Sequence, residues 1–145
     1  MPTASLTTNS ELGSALRLAI LRVARRIRSQ RVNTDITLSQ LSALATVKKC
    51  GPLSAGEVAS IERVRPPSMT KILSSLEGAG WIGRRAHPDD RRQSIISVTQ
   101  SGLNLLAAET RARDEWLAKR LVDLSAEDRD VLRKAIDVLD RLGSA

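Results

Sequence analysis

Cationic and hydroxyl side chains are concentrated between residues 65 and 92. Arginine and lysine bind phosphate oxygens and guanine, and hydroxyl groups hydrogen-bond to phosphates or to base edges. The residues that share this capacity are Arg65, Ser68, Thr70, Lys71, Arg84, Arg91 and Arg92. Any one of them alone is most simply a solvated surface group. Their order along the chain is what indicates recognition of a polyanion.

The sequence offers few of the residue combinations that a catalytic site requires. A catalytic site needs a nucleophile with a base, clustered acids or a metal. His87 is the only histidine and stands beside Pro88 in a turn, where we expect it to contact solvent or phosphate. One histidine and one cysteine make a zinc site improbable, and Asp89-Asp90 resembles a turn rather than an acid–base pair. We therefore expect no catalytic residue, no metal and no cofactor.

Cys50 is the only cysteine, so no disulfide forms within the chain. Lys48 and Lys49 favour its thiolate, whereas a position at the end of a helix disfavours it. A structural thiol is the favoured interpretation, and a redox switch stays open. The absence of disulfides fits a cytoplasmic protein.

The composition indicates one folded domain that carries excess positive charge. The 145 residues are 41% hydrophobic and have a net charge of +7. Residues 1–51 contain eight lysines and arginines against two acids. Tyr and Phe are absent, and Trp81 and Trp116 are the only aromatic residues, so the base-stacking surfaces of single-strand and RNA binders are not expected. Duplex nucleic acid remains the fitting polyanion, although many soluble proteins are also basic.

The sequence lacks the apolar segments of membrane spans and of signal peptides. No apolar run approaches the 18 residues of a membrane span, so we expect no membrane association. Residues 1–10 lack the apolar core of a signal peptide and are predicted to form a short flexible tail.

Periodicity and capping signals predict a mainly helical chain with one hairpin. The first helix, about 11–31, has an apolar stripe at helical spacing. Capping boxes at Thr37–Gln40, Ser54–Glu57 and Ser125–Asp128 open later helices. Pro66 begins another helix, which stops at the glycines 78 and 80. Residues 81–86 and 94–99 are predicted strands around a charged turn, and Thr99 caps a helix of about 100–123.

Two short helices joined by a tight turn and followed by a hairpin form the winged helix-turn-helix arrangement. The second short helix of such a unit enters the major groove, and its N-terminal side chains face base edges. The tip of the hairpin, or wing, reaches the backbone and the minor groove, where arginine is favoured. The predicted fold is therefore mainly α with a small β-hairpin, a winged helix-turn-helix lobe between terminal helices.

The sequence resembles the MarR family of bacterial winged-helix regulators over roughly residues 12–142. The most specific stretch is Asp89–Gly102, which has the family's Asp-x-Arg wing tip, a β-branched strand and Thr-x-x-Gly at the next helix. The blocks Thr37–Ser54 and Pro67–Ile82 follow the family pattern at the right spacing. Two departures are Arg63, where the family often has glycine, and Arg65, where it often has a Ser or Thr cap. Arg65 is expected to add a phosphate contact.

The resemblance implies roles for particular residues. Arg92 would enter the minor groove, and Asp90 would brace the wing tip by pairing with an arginine. Ser68, Thr70 and Lys71 would line the major groove. The first and the last two helices would form a dimer interface, with apolar contacts from Leu12, Leu16, Leu117, Leu121, Ile136 and Leu139.

The resemblance also implies the domain organisation and the partners. The MarR-type domain would span 11–145, with the winged-helix lobe at about 37–99 and dimerisation helices at about 11–31 and 100–143. Many members bind a small lipophilic or aromatic anion that changes the spacing of the lobes. The sequence names no such effector and leaves open that there is none.

We therefore expect a homodimeric, sequence-specific repressor, repression being the family's usual mode. Its operator would be a pseudo-palindrome with half-sites about 10 base pairs apart. Two alternatives stay open. A non-specific architectural DNA binder would show equal affinity for scrambled DNA and a steep salt dependence. A winged helix that binds protein, or an unrecognised enzyme, would show no affinity for DNA.

Overall fold

A computed structural model of the chain describes residues 7–145. In chain order its elements are α1 (Asn9–Arg28), α2 (Leu38–Cys50), β1 (Leu53–Ser54), α3 (Ala55–Glu62), α4 (Pro66–Gly78), β2 (Ile82–Ala86), β3 (Ser94–Val98), α5 (Gln100–Val122) and α6 (Ala126–Gly143). The predicted mainly helical winged helix-turn-helix fold is confirmed. None of the helices described here combines the length and the apolar character that crossing a membrane requires.

Contacts divide the chain into two units. One unit is Arg31–Arg111, which contains α2 to β3 and the first half of α5. The other contains α1, the second half of α5 and α6. The lobe predicted at about 37–99 therefore lies within a somewhat longer unit.

The first helix begins earlier than predicted. Thr8 caps α1, because its hydroxyl accepts the Glu11 N–H at 3.2 Å while the Glu11 carboxylate accepts the Thr8 N–H at 3.0 Å. The Thr8 N–H, together with the hydroxyls of Thr8 and Thr7, lowers the pKa of Glu11. Residues 1–6 of the predicted tail lie outside the described residues, and Asn9 and Ser10 belong to the helix.

The other helix starts follow their capping signals. The predicted boxes at Thr37–Gln40 and Ser54–Glu57 are both present. At α6 only half of the predicted box forms, since Ser125 accepts the Asp128 N–H at 3.0 Å without a reciprocal bond. Aspartate is one methylene shorter than the glutamate of a complete box.

The sheet has one strand more than the predicted hairpin. Its order is β1-β3-β2, all antiparallel, so β3 is the central strand. β2 and β3 pair from Ile82↔Val98 to Ala86↔Ser94, and Leu53 of β1 pairs with Ile96. Two residues are too few to show the alternation that identifies a strand, which is why β1 escapes prediction.

The core of the Arg31–Arg111 unit is aliphatic. It joins side chains of α2, α3 and α4 to the sheet and to the start of α5. Its completely enclosed apolar members, each at most 2% exposed, are Ile36, Ala43, Leu44, Val47, Val58, Met69, Leu73, Leu76, Ile82 and Ile96. Without Phe or Tyr, packing rests on branched side chains and one methionine.

Backbone contacts hold the base of the wing against α5. The Thr99 N–H donates to the Trp81 carbonyl at 3.1 Å, and the Thr99 hydroxyl donates to the Gly80 carbonyl at 2.6 Å. The same hydroxyl accepts the Gly102 N–H at 3.1 Å, which confirms Thr99 as the cap of α5. A Cβ at Gly102 would stand 2.3 Å from the Trp81 oxygen, so the position requires glycine.

A buried carboxylate holds the segment that leads into α2. Glu109 of α5 is 1% exposed, and one of its oxygens accepts the N–H groups of Val32 and Asn33 at 3.2 and 3.0 Å. Its other oxygen lies 3.9 Å from Arg31 Nε. The Arg31 guanidinium in turn donates to the carbonyls of Asn33 and Ile36. A network thus fixes residues 31–36, which have no helix or strand of their own.

Removing this carboxylate is expected to destabilise the protein. Glu109→Ala would leave the N–H groups of Val32 and Asn33 and a half-buried arginine without their acceptor, so the free energy of unfolding should fall by about 2–4 kcal/mol. Urea unfolding followed by circular dichroism at fixed protein concentration measures this. Glu115→Ala, at an exposed position of the same helix, should change it by less than about 0.5 kcal/mol. Equal effects of the two changes would contradict the assigned role of Glu109.

Candidate nucleic-acid interface

Helix α4 begins without a side-chain cap. Arg65 is its N-cap residue, with φ −61° and ψ 139°, and makes no capping hydrogen bond. Pro66 and Pro67 occupy the first two helical positions and have no N–H groups to satisfy, so little capping is needed. The Arg65 side chain is exposed and is not used for the local fold.

The first turns of α4 present the predicted contact residues to solvent. Ser68, Thr70 and Lys71 are exposed, while Met69 between them is 1% exposed and belongs to the core. The Thr70 hydroxyl donates to the Pro66 carbonyl at 2.9 Å. Its proton is therefore engaged, and the oxygen and the methyl group remain to meet a partner.

The turn between α3 and α4 contains strained backbone. Arg63 has φ 54° and ψ 42°, the left-handed region, and it is the one non-glycine residue with positive φ within 7–145. This conformation lets the Val64 N–H reach the Ala59 carbonyl at 3.0 Å, beside the bond of 3.2 Å from the Arg63 N–H to the Ser60 carbonyl. An L-residue other than glycine typically pays about 1–2 kcal/mol for it.

Hydrogen bonds within the wing set the shape of its tip. His87 Nδ1 accepts the N–H groups of Asp89 and Asp90 at 3.1 and 3.2 Å. The His87 N–H donates to the Gln93 carbonyl at 3.1 Å. His87 was expected to contact solvent or phosphate, but one of its ring nitrogens serves as an acceptor inside the turn. An imidazole is long enough to reach two and three residues ahead when Pro88 bends the chain.

Asp90 braces the wing through the backbone. Its Oδ1 accepts the main-chain N–H of Arg92 at 3.0 Å, and its carbonyl accepts the Gln93 N–H at 3.0 Å. The resemblance implied pairing with an arginine side chain, yet no ion pair of Asp90 occurs in the part of the chain that is described. A short carboxylate two residues before an amide favours this turn. The side chains of Arg91 and Arg92 are exposed at the tip.

Arg84 has a role within the fold besides its predicted contact with DNA. Its Nε lies 3.2 Å from a carboxylate oxygen of Glu77, and its side chain is 26% exposed. The pair links the end of α4 to β2. Its charge is thus partly balanced, and Arg85, next on the strand, is the more exposed cation. The contact of Arg84 with DNA stays a prediction.

Two grooves flank the exposed side of α3. The larger, about 790 Å³, separates α3 from the wing and includes Arg84 and Arg92 in its lining. The smaller, about 330 Å³, follows the turn into α4 and includes Arg63 and Arg65. Small residues of α3, Gly56 among them, line both. Each groove therefore has two arginines in its lining.

Both acids of α3 are engaged by hydrogen bonds. Glu57 accepts the Ser54 N–H at 3.3 Å. Glu62 accepts the hydroxyls of Ser42, at 2.8 Å, and of Thr46, which ties α3 to α2. These bonds hold the carboxylates to the fold, and neither carboxylate forms an ion pair with Arg63 or Arg65 among residues 7–145.

Sequence reasoning missed Glu62, Glu77 and Glu109, and it identified Arg63 only as a departure from the family pattern. Of these, Glu109 had a signal, since it continues the apolar stripe of Leu103 and Leu106 at a spacing of three and so had to be buried. Cys50 is exposed at the end of α2, so it is not a packing group of the core as a structural thiol would be.

The terminal unit exposes a large apolar surface. No residue of α1 or α6 is buried in the described chain, although both helices are amphipathic. Of the predicted interface residues, Leu12, Ile136 and Leu139 are exposed by 50%, 55% and 38%. Leu16, Leu117 and Leu121 are half-buried. The same two helices expose further apolar side chains, namely Leu18, Leu21, Val131, Leu132 and Leu142.

Comparisons with known proteins agree with this geometry. Residues 36–94 match the sequence model of the MarR family. The chain is 46% identical to an uncharacterized HTH-type transcriptional regulator of Mycobacterium leprae, over 92% of this chain and 94% of that protein.

Solved structures share the fold. A candidate transcriptional regulator from Pseudomonas aeruginosa has a TM-score of 0.84 and 28% identity, covering 95% of this chain and 99% of that one. A MepR mutant of S. aureus bound to an oligodeoxyribonucleotide has a TM-score of 0.70 and 22% identity, covering 92% and 96%. On the strength of the extended match to the mycobacterial relative, together with the family model over the lobe, the chain belongs to the MarR family of helix-turn-helix transcriptional regulators.

Proposed function

We propose that the protein is a homodimeric, sequence-specific repressor that binds duplex DNA. The observation that carries this is the free face of α4, where Ser68, Thr70 and Lys71 stand exposed over a buried Met69. Such a helix fits the major groove with its N-terminal residues at base edges. The oligodeoxyribonucleotide bound to the S. aureus relative supports the same use of the fold.

The arginines around α4 supply the sequence-independent part of binding. Arg92 would enter the minor groove from the wing tip, and Arg65, Arg84 and Arg91 would contact phosphates. Hydrogen bonds from Asp90 hold the backbone of the tip, so Arg92 would reach the duplex from a preformed turn. Cations at such positions set affinity, whereas the hydroxyls of α4 set the choice of sequence.

The exposed apolar residues of α1 and α6 support a dimer. Side chains such as Leu12 and Ile136 would be covered by a second copy of the chain, since contiguous apolar surface of this extent marks an interface. A two-fold dimer presents two copies of α4, so the operator would be a pseudo-palindrome with half-sites about 10 base pairs apart. The site of action would be the cytoplasm, where the operator is accessible.

A small lipophilic or aromatic anion would act as the effector. The resemblance supports this, together with the aliphatic and arginine-rich composition of the terminal unit. The effector would release DNA by binding more tightly to the conformation that does not fit the operator.

The first test is a fluorescence anisotropy titration at about 0.15 M salt. A labelled duplex from the upstream region of the gene is compared with a scrambled duplex of equal length. A specific repressor should bind the native duplex about 10³-fold more tightly. Equal, salt-sensitive binding would favour an architectural protein, for which the net charge of +7 is the supporting observation, or an operator elsewhere that a genome-wide binding screen would find. Protein refolded from denaturant, and so free of carried ligand, that binds neither duplex would contradict the proposal.

Substitutions should separate affinity from sequence choice. Arg92→Ala should weaken binding to both duplexes, because it removes one cation that contacts the DNA. The slope of log affinity against log salt concentration (the salt slope) should decrease in magnitude by about one. Thr70→Ala should lower the affinity for the native duplex by about 5- to 100-fold, since it removes a base contact. The affinity for the scrambled duplex should stay nearly unchanged. Lys134→Ala, which removes an exposed charge from α6, is the control for net charge. If neither Arg92→Ala nor Thr70→Ala lowers the affinity for DNA, the groove assignments are wrong.

The dimer can be tested on α6. Ile136→Asp would bury a carboxylate at the interface, so the dimer dissociation constant should rise by roughly 100-fold or more. Sedimentation equilibrium measures it. Lys134→Asp introduces the same carboxylate on the charged side of the helix and should leave the dimer intact. A wild-type protein that is monomeric at about 10 μM would refute the dimer.

A further inference from the structure

Arg63 keeps a strained backbone conformation that glycine would adopt freely. The turn requires it, because the left-handed angles let the Val64 N–H close the end of α3 on the Ala59 carbonyl. The strain therefore comes from the position, and the arginine side chain does nothing to relieve it. Backbone strain of this kind is typical of functional positions, which indicates a function for the Arg63 side chain.

The Arg63 side chain has no partner within the described chain. It is exposed, and no ion pair of Arg63 or Arg65 occurs among residues 7–145. The two acids of α3 are held by hydrogen bonds to Ser54 and to the hydroxyls of α2. Its positive charge is thus available to an external anion.

The surroundings of Arg63 suit a phosphodiester group. Arg63 and Arg65 line the smaller groove together with Gly56, Ser60 and Pro66. Among residues 7–145, no acidic residue lines this groove, and its α3 side is formed by small side chains that let a backbone approach closely. A guanidinium offers paired N–H donors that match the oxygens of one phosphate.

We propose that Arg63 and Arg65 together hold one backbone phosphate of the operator in this groove. The inference rests on the proposed function and deepens it, since it adds Arg63 to the contact surface and assigns it to affinity. The contact fixes where α3 lies on the DNA backbone and, through the turn, where α4 enters the major groove. Because phosphate is common to all sequences, Arg63 contributes equally to specific and non-specific binding.

The decisive variant is Arg63→Gly, which removes the charge and the strain together. Its urea midpoint should be equal to or higher than that of the wild type, whereas its affinity for DNA should fall by about 5- to 30-fold. The fall should be the same for native and scrambled duplexes, and the salt slope should decrease by about one. Stability and binding therefore change in opposite directions, which general damage to the fold cannot produce.

Two further variants isolate the charge. Arg63→Asn tolerates the left-handed conformation without the cation and should bind as weakly as Arg63→Gly. Arg63→Lys keeps the cation and should recover most of the affinity, though less than the full bidentate contact.

The outcomes separate this inference from the proposed function. If the wild type prefers the native duplex and Arg63→Gly binds DNA as tightly as the wild type, the phosphate site is overturned. The proposal of a sequence-specific repressor is then unaffected. A loss confined to the native duplex would overturn the phosphate site too, because it would indicate a base contact. A lower urea midpoint of Arg63→Gly would overturn the strain argument. Wild-type protein that binds neither duplex would overturn both proposals.

Discussion

The complete burial of one face of α4 fixes the rotation of this helix, and therefore determines which face is exposed to solvent. Met69, Leu73 and Leu76 are each at most 1% exposed, and their spacing of four and three residues follows one side of a helix. The helix cannot rotate without withdrawing these side chains from a close-packed aliphatic core. Ser68, Thr70 and Lys71 are therefore presented to solvent by the packing beneath them. In a core without Phe or Tyr, two leucines and one methionine fix this orientation.

The wing is positioned by hydrogen bonds that leave its cations unused. His87 and Asp90 accept backbone N–H groups of the tip, and Thr99 joins the base of the wing to the loop before β2 and to α5. Hydrogen bonds to backbone groups are enough to position the wing, so the side chains of Arg91 and Arg92 need not form ion pairs within the lobe. Arg84 is the exception, because its ion pair with Glu77 links β2 to α4. The division of labour leaves positive charge where a phosphate backbone could meet it.

Two positions break the local rules that the rest of the chain follows. Arg63 places a bulky residue where the backbone favours glycine, and Glu109 places a carboxylate on an apolar stripe. For Glu109 the structure supplies the compensation, in two backbone N–H groups and Arg31. For Arg63 the lobe supplies none. The contrast distinguishes a buried charge that serves the fold from an exposed one that is best explained by a partner.

The amino-acid sequence alone determined the helices, the hairpin and their order. Helical period, capping boxes such as Thr37–Gln40 and the β-branched stretch 94–99 are local signals, and each acts over a few residues. The box at Thr8 was equally legible and places the start of α1 within the expected tail. The wing and α4 could therefore be identified together with most of their exposed residues.

Only the tertiary structure decided which charges are paired and where the backbone is strained. The Glu77–Arg84 pair, the clamp of Glu109 on residues 32 and 33, and the strand β1 all join segments that are distant in sequence or too short to show a period. Such contacts depend on how close the elements come after packing, which no local pattern encodes. The left-handed angles of Arg63 likewise follow from closing α3 against α4, and not from any preference of arginine.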